Sequence, residues 1–432
     1  MIKYCILFLF LVQSMYSHSQ DIAYARSIID TLSSPSFDGR GYVNDGDNKA
    51  ASFIAGEFCK FRLKSFSRDY FQAYTFPMNT FPGKVEATIN GKPLKAGEQF
   101  QVWSAAPTIN SLFKLEELKG KNITDPKRFK RFVARNHAGK FVMVDKKGIT
   151  DKHLLSRLDS LKYTNFLNAS GLIFISDQKL VWSVMAGQQA RNYAVLDIRR
   201  EATPKKPRNI ALDIQSSFVR VHEARNVIGY VSGKVQPDTF LVFSAHFDHL
   251  GRMGNTVYYP GANDNASGTS MVLDLARYYS QPVNQPYYSM IFLCFSGEEA
   301  GLLGSTYCAE HPIFPLKQVK FLLNIDMVGT GSEGITMVNA TIFKDAYRRM
   351  VKINADNEYL MAVKERGESC NSDHCPFYKQ GVPAAFIYSM GKEFTEYHNP
   401  DDKSSLLPLS EYKDIFRLVR DFMDGMKGQD KR

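Results

Sequence analysis

Apolar runs alternate with amphipathic segments through the second half of the chain. TFLVFSA (239–245) and SMIFLCF (289–295) are apolar enough to be strands buried on both faces. SGTSMVLDLARYYS (267–280) lies between them and has apolar residues at helical spacing. The alternation continues through FLLNID (321–326) and AAFIYS (384–389). This pattern predicts an α/β fold, with a mainly parallel mixed sheet sandwiched by helices.

The first half of the chain has a different pattern. Two amphipathic helices are predicted at 22–32 and 49–61, separated by the Gly-rich segment FDGRGYVNDGDN. Short apolar runs follow, among them KFVMVD (140–145) and SGLIFIS (170–176). We interpret residues 96–215 as a smaller β-rich insertion into the main domain.

Composition and charge narrow the class of protein. Hydrophobic residues make up 44% of the 432 residues and charged residues 23%, which excludes a disordered or fibrous chain. Residues 114–162 hold 14 Lys or Arg against 6 Asp or Glu, and so carry most of the net charge of +10. No nucleic-acid-binding motif accompanies this basic stretch. We therefore interpret it as a solvated face and predict no nucleic-acid partner.

The first residues have the features of an export signal. A positive Lys3 precedes the apolar run CILFLFLV, and Ser17-His18-Ser19 offers a cleavage site. We predict a signal peptide over 1–19 and an exported protein, periplasmic or secreted, whose mature chain has no integral membrane segment. The six cysteines do not form a disulfide framework, although Cys370 and Cys375 are near enough in sequence to form one bridge.

Residues that bind metals or transfer protons follow the ends of five predicted segments. They are His246 and Asp248 after the first strand, Asp264 before a helix, Glu298 and Glu299, Asp326, and His398. In an open α/β sheet, ligands bind outside the carboxyl ends of the strands. Because five segments deliver such residues to one edge, we predict a metal site there.

The ligand types indicate two zinc ions. Imidazole nitrogens and carboxylate oxygens are ligands of zinc, and five are too many for one catalytic ion with an open position. Two ions that share a bridging carboxylate would use all five. Of the adjacent residues Glu298 and Glu299, one can then bind metal while the other acts as a base. Asp248 is spaced to accept the second ring N–H of His246.

Six motifs contain these residues or, in one case, lie between them: HFD (246–248), GANDNASG (261–268), GEEAGLLGS (297–305), NIDMVG (324–329), SDHCPF (372–377) and YHNPDD (397–402). Together they resemble the exported di-zinc aminopeptidase family, which shares its fold with glutamate carboxypeptidases, transferrin-receptor ectodomains and glutaminyl cyclases. FDGRG (37–41) also resembles the opening of exported members, and the insertion resembles a protease-associated lid domain. The resemblance implies a signal peptide (1–19), a first part of the catalytic domain (20–95), the insertion (96–215) and the main catalytic domain (216–432).

The resemblance also implies roles for individual residues. The first of two zinc ions would be held by His246, Asp264 and Asp326, and the second by Asp264, Glu299 and His398. Glu298 would be the general base that deprotonates the metal-held water. Tyr397 matches a tyrosine that stabilises the oxyanion in some members, although it could equally be a packed aromatic. His249, Asp373 and His374 receive no direct role, and Asn265 replaces an aspartate that often follows the bridging one.

The implied activity is removal of the N-terminal residue from peptides. A glutaminyl cyclase keeps much of this residue set but places tryptophans around its pocket, and here Tyr397 occupies such a position. A carboxypeptidase or dipeptidase would need a cation for the substrate's carboxylate, which the sequence does not identify. A receptor-like ectodomain would have lost ligands. Peptides are the expected partners; the oligomeric state is not predicted.

Overall fold

A computed structural model describes residues 21–427, so the predicted signal peptide lies outside the described residues. The helices in this part of the chain are α1 (Ile22–Leu32), α2 (Gly46–Lys60), α3 (Lys121–Thr124), α4 (Pro126–Val133), α5 (Lys152–Thr164), α6 (Gly268–Ser280), α7 (Leu303–Glu310), α8 (Lys344–Asn357), α9 (His374–Lys379) and α10 (Tyr412–Asp424). Within residues 21–427, no helix combines the length and apolar character needed to cross a bilayer.

The strands of the same residues are β1 (Phe71–Thr80), β2 (Val85–Ile89), β3 (Lys92–Pro93), β4 (Phe100–Val102), β5 (Ile109–Lys119), β6 (Lys140–Asp145), β7 (Gly171–Ser176), β8 (Ala194–Arg199), β9 (Asn209–Ile214), β10 (Ser217–Val231), β11 (Gln236–His246), β12 (Arg252–Met253), β13 (Val257–Tyr258), β14 (Tyr288–Phe295), β15 (Val319–Ile325), β16 (Gly334–Val338), β17 (Val363–Glu365) and β18 (Ala384–Met390).

The first sheet has eight strands in the order β1-β10-β14-β11-β15-β18-β16-β17. Its central strands β14, β11, β15 and β18 are parallel to one another, while β1, β10 and β16 run antiparallel to their inner neighbours. The predicted strands at 239–245, 289–295, 321–326 and 384–389 all lie in this centre. The α/β fold class with a mainly parallel mixed sheet is thereby confirmed.

Helices cover both faces of this sheet. Leu241 and Phe243 of β11 point into a core formed with α1, α2, α6 and α10. Phe240 and Val242 of the same strand belong to the core on the opposite face, which includes Cys308 of α7 and Phe377 of α9. Successive strand residues point to opposite faces, so a strand that is apolar throughout must be covered on both. This explains why the predicted strands are nearly continuous apolar runs.

A second eight-stranded sheet occupies the segment between β1 and β10. Its order is β3-β2-β9-β5-β6-β7-β8-β4, with β5 to β8 parallel. The chain leaves the first sheet at Thr80 and returns to it at Ser217, directly beside the strand it left. A core cluster contains Phe76 and Met78 of the first sheet together with Phe100 of the second sheet and Trp182 of its β7–β8 connection, and so joins the two sheets.

Candidate metal centre

All the predicted metal ligands lie at the carboxyl edge of the first sheet. His246 is the last residue of β11, Asp326 follows β15, and Glu299 lies in the turn after β14. Asp264 is in the loop that leads into α6, and His398 is in the loop after β18. Because β11, β14 and β15 are parallel neighbours, their ends meet at one place.

The structure brings the five ligands into two groups that share Asp264. The Nε2 atom of His246 lies 3.4 Å from Asp264 Oδ1 and 3.4 Å from Asp326 Oδ1. The Nε2 atom of His398 lies 3.0 Å from Asp264 Oδ2 and 3.2 Å from Glu299 Oε2. Each oxygen of Asp264 therefore faces a different histidine, as a bridging carboxylate would.

These donor sets fit zinc. Atoms bound about 2.1 Å from a tetrahedral zinc ion lie roughly 3.4 Å from one another, close to the observed separations. Asp326 Oδ1 is buried and has no hydrogen-bond partner, which is costly unless a cation binds there. Both groups are made of side chains that bind divalent cations, and all are buried. The residues present thus fit two ions.

The second ring nitrogen of each histidine is held by a backbone carbonyl. His246 Nδ1 donates to the carbonyl oxygen of Asp248 at 3.1 Å. His398 Nδ1 donates to the carbonyl oxygen of Trp182 at 2.9 Å. With the proton held on Nδ1, the lone pair of each Nε2 atom is available to bind a metal. One of the two carbonyls comes from the second sheet's segment of the chain.

The carboxylate of Asp248 has a task that the sequence does not indicate. Its Oδ1 lies 3.7 Å from His246 Nδ1, farther than the residue's own carbonyl oxygen. The carboxylate instead accepts hydrogen bonds from the Tyr42 hydroxyl at 2.6 Å and from the backbone N–H groups of Glu298 and Glu299 at 3.1 and 3.3 Å. Asp248 therefore fixes the turn that carries both glutamates.

His249 has a closer role than the sequence predicts. Its Nδ1 donates to Glu299 Oε1 at 2.8 Å, while Glu299 Oε2 faces His398. The ring is fully buried and belongs to one of the two metal-binding groups. Gly261 gives it space, because a Cβ on this glycine would lie 2.4 Å from the His249 ring and 2.2 Å from the Asp264 carbonyl oxygen.

Two buried charged residues, Arg40 and Asp402, hold the Asp264 loop, and no role for either is predicted from the sequence. Asp402 accepts hydrogen bonds from the backbone N–H groups of Asn263 and Asp264 at 2.8 and 3.1 Å. Arg40 donates to five carbonyl oxygens, those of Leu32, Phe247, Pro260, Gly261 and Asp264. Their only sequence signals are the motifs FDGRG and YHNPDD, because their partners are distant in the chain.

The electrostatics of the site separate the two glutamates. Burial opposes ionisation of Glu299, but the His398 charge and the hydrogen bonds from His249 and His398 outweigh it and lower its pKa to about 2. Burial raises the pKa of Glu298 well above its ordinary value, and Asp373, Glu299 and Asp326 raise it further against the opposing charge of His246. Among the described residues, Glu298 joins neither metal-binding group.

The remaining predicted residues lie around this centre. The Tyr397 ring stacks on His398 with 3.8 Å between ring centres and is 42% exposed. Asp373 is fully buried, and burial raises its pKa to about 7, with Asp248 and Asp326 adding to the increase and His246 opposing it. His374 hydrogen-bonds the Ser369 carbonyl and joins neither group. A disulfide joins Cys370 to Cys375.

Residues 226–423 match the sequence model described as peptidase family M28. Among curated proteins, aminopeptidase YwaD from Bacillus subtilis (strain 168) is 33% identical over 196 residues, which cover 41% of this chain and 39% of the relative. A probable leucine aminopeptidase from Arthroderma otae is 31% identical over 192 residues, which cover 43% of this chain and 53% of the relative. The chain therefore spans between about two fifths and half of the length of these relatives.

Solved structures share the fold over nearly the whole chain. BSAP, a zinc aminopeptidase from Bacillus subtilis, superposes with a TM-score of 0.69 at 20% identity, covering 94% of this chain and 95% of that one. An aminopeptidase from Aneurinibacillus sp. strain AM-1 gives a TM-score of 0.64 at 18% identity, covering 94% and 93%. At these identities the likeness concerns the fold, which agrees with the predicted fold class.

Proposed function

We propose that this chain is a zinc-dependent aminopeptidase that removes N-terminal residues from peptides, since its residues 226–423 match peptidase family M28. One observation carries the proposal: the two carboxylate oxygens of Asp264 face two separate groups of metal-binding side chains. The relatives named aminopeptidase support the same class of reaction. We propose His246, Asp264 and Asp326 as the ligands of one zinc ion, and Asp264, Glu299 and His398 as those of the other.

Two bound zinc ions would polarise the scissile carbonyl and make the attacking water more acidic. Glu298 accepts the proton from this water and passes it to the departing amine. Its raised pKa suits that exchange, because a base must hold the proton briefly and then release it. Asp248 serves as a positioning residue, since it holds the backbone N–H groups of both glutamates.

Tyr397 is proposed to donate a hydrogen bond from its hydroxyl to the developing oxyanion. Its exposed edge and its stack on His398 place it beside the second ligand group. Burial and the neighbouring carboxylates, Asp264 and Glu299 foremost, raise the pKa of its hydroxyl, so the group stays protonated and can donate a hydrogen bond.

We further propose that the second sheet is an insertion between two parts of the catalytic domain, and that residues 1–19 direct export. The disulfide between Cys370 and Cys375 supports export, because such bonds persist in oxidising compartments.

The test uses a mixed peptide pool and its N-acetylated twin, with mass spectrometry of the products. We expect loss of N-terminal residues from the free-amine pool alone, and no loss after treatment with a chelator. C-terminal release from both pools would instead indicate a carboxypeptidase. Loss of ammonia from N-terminal Gln would indicate a cyclase, and inactivity on both pools would contradict a peptidase.

Replacing the proposed base tests the mechanism. Glu298→Gln keeps the size of the side chain but cannot accept the proton, so kcat should fall by roughly 100- to 10,000-fold. Zinc content should stay that of the wild type, because Glu298 belongs to neither ligand group. Glu310→Gln, an exposed change at the end of α7, is the matched control and should leave both values unchanged. Full activity in Glu298→Gln would exclude it as the base.

A further inference from the structure

One segment of the second sheet's chain reaches the metal centre. Residues 180–188, here called the strap, lie in the connection between β7 and β8. The backbone of Trp182 pairs with His398 in both directions: its N–H donates to the His398 carbonyl at 3.0 Å, and its carbonyl accepts from His398 Nδ1 at 2.9 Å. The start of the strap is therefore fixed to a proposed metal ligand.

The other end of the strap is fixed beside the proposed base. The Gln188 side chain donates to the carbonyl oxygen of Ala300, the residue that follows the two glutamates. The side chains of Gln188 and Met185 are the nearest to Gly301 in this turn, since a Cβ placed on that glycine would lie 3.9 Å from Gln188 Nε2 and 4.0 Å from Met185 Cγ. Gly301 in turn donates to the Glu298 carbonyl at 2.8 Å. The strap thus runs from the last proposed ligand to the turn that carries the base.

Side chains alternate along the strap. Trp182 and Val184 are buried in the core between the two sheets. Val181 and Met185 point outward and are 55% and 57% exposed. Ligand sites are lined mainly by apolar side chains, and these two exposed apolar side chains lie on a segment whose ends are fixed to the loops of His398 and of the two glutamates. Met185 also has the flexible side chain that suits contact with apolar groups of different shape.

We propose that Val181 and Met185 are specificity-determining residues, which form an apolar wall against the substrate side chain next to the scissile bond. The favoured substrates are then peptides with an apolar residue at that position. This inference rests on the proposed aminopeptidase function and assigns part of its selectivity to the second sheet's segment of the chain. Leucine-like side chains gain by leaving water against this wall, whereas lysine and glutamate side chains lose hydration there.

The experiment compares kcat/KM for two peptide series, one varied at the first residue and one at the second, each with Leu, Lys and Glu. Met185→Glu should lower the ratio of kcat/KM for Leu over Lys in one series by about 10-fold or more. The hydrated carboxylate removes an apolar contact for Leu and attracts the charge of Lys. Met185→Leu should keep the ratio within about 3-fold, since a similar apolar volume remains. Val181→Glu provides a second, independent variant.

Met361→Glu is the matched control, because Met361 is 81% exposed in the loop between α8 and β17. The Leu-to-Lys ratio of kcat/KM in Met361→Glu should equal that of the wild type, and the zinc content should be equal in all variants. Unchanged ratios in both Met185→Glu and Val181→Glu, with an active wild-type enzyme, would overturn this inference and leave the aminopeptidase function intact. An inactive wild-type enzyme would overturn both.

Discussion

Single residues in this site contact several parts of the chain at once. Arg40 is the extreme case, since its fully buried guanidinium donates hydrogen bonds to carbonyls of three segments, at Leu32, at Phe247 and in the loop 260–264, which meet only in the folded protein. Burial lowers its pKa to about 10, while Asp402 and Asp264 favour its charged form. Arg40 therefore remains a cation at neutral pH. It offsets part of the negative charge that gathers at the metal centre.

Asp373 and Glu298 should influence each other's titration. When two carboxyls lie close together, the charge of the first to ionise repels the charge of the second. The second carboxyl therefore loses its proton at a higher pH than an isolated group would. Burial and Asp373 both raise the pKa of Glu298, and a general base works only when deprotonated. Activity should therefore decline as the pH falls through the pKa of the base.

Asp373→Asn removes the repelling charge, and so the acidic limb of kcat/KM should move to lower pH. The measurement is a pH profile at equal zinc content, with Asp345→Asn as an exposed control on α8. An acidic limb at the same pH in Asp373→Asn and the wild type would show that Asp373 does not act on the base.

Among the structural elements, the strap links the second sheet to His398, a proposed metal ligand. Its anchor is Trp182, whose ring stacks on Tyr259 at 4.8 Å and whose Nε1 donates to the Val102 carbonyl at 2.6 Å. These contacts fix the carbonyl that orients His398. Hydrogen-bond partners of metal ligands typically contribute 10- to 100-fold to metal affinity.

Trp182→Ala should therefore weaken zinc binding at the group that contains His398, by about 10-fold or more, and spare the group that contains His246. Zinc titration of chelator-stripped protein measures both sites. Trp103→Ala is the matched control, because this second tryptophan packs on Tyr163 within the second sheet's part of the chain. Equal losses at both sites, or in both variants, would contradict a link through the strap.

The elements differ in how far the sequence predicts them. β11, β14, β15 and β18 are predicted from their apolar runs, because burial on both faces leaves that signal. β1 and β10 are not predicted: β1 contains Pro77 beside a register shift, and β10 alternates exposed and buried residues over much of its length. Their pairing depends on partners about 150 residues away, which local patterning does not encode.

The residues of the site also differ in whether the sequence predicts them. Proposed ligands such as His246, Asp264 and His398 are predicted because their residue types and strand-end positions are visible in the sequence. The strap is not predicted, since Trp182 and His398 are 216 residues apart and Trp182 contributes only its backbone atoms to their hydrogen bonds. Side-chain chemistry can be read from sequence letters, whereas backbone hydrogen bonds between distant segments require the fold.

At the scale of the whole molecule, zinc and folding should be coupled. Two groups of buried carboxylates and imidazoles lie between the loops that follow the four central strands of the first sheet. A ligand that binds only the folded state stabilises it by about 4 kcal/mol at 1,000 times its dissociation constant. The midpoint of thermal unfolding should therefore fall after treatment with a chelator and recover when zinc is added.

Scanning calorimetry measures this effect, and Glu298→Gln is an informative control. Because Glu298 is outside both ligand groups, its variant should show the same zinc-dependent shift as the wild type despite its lost activity. A melting temperature that does not respond to chelator or zinc would show that the ligand groups bind no metal in solution.

The position of β18 has a consequence for synthesis of the protein. This strand, at residues 384–390, lies between β15 and β16 in the first sheet, so its place in the sheet stays empty until long after both neighbours have been made. Until then the edges of β15 and β16 expose unpaired backbone groups, which favour association with other chains. The loop with His398 follows β18 directly. A ribosome would thus have to translate beyond residue 398 before a nascent chain could complete the proposed metal centre, and premature termination upstream of β18 should yield inactive, aggregation-prone fragments.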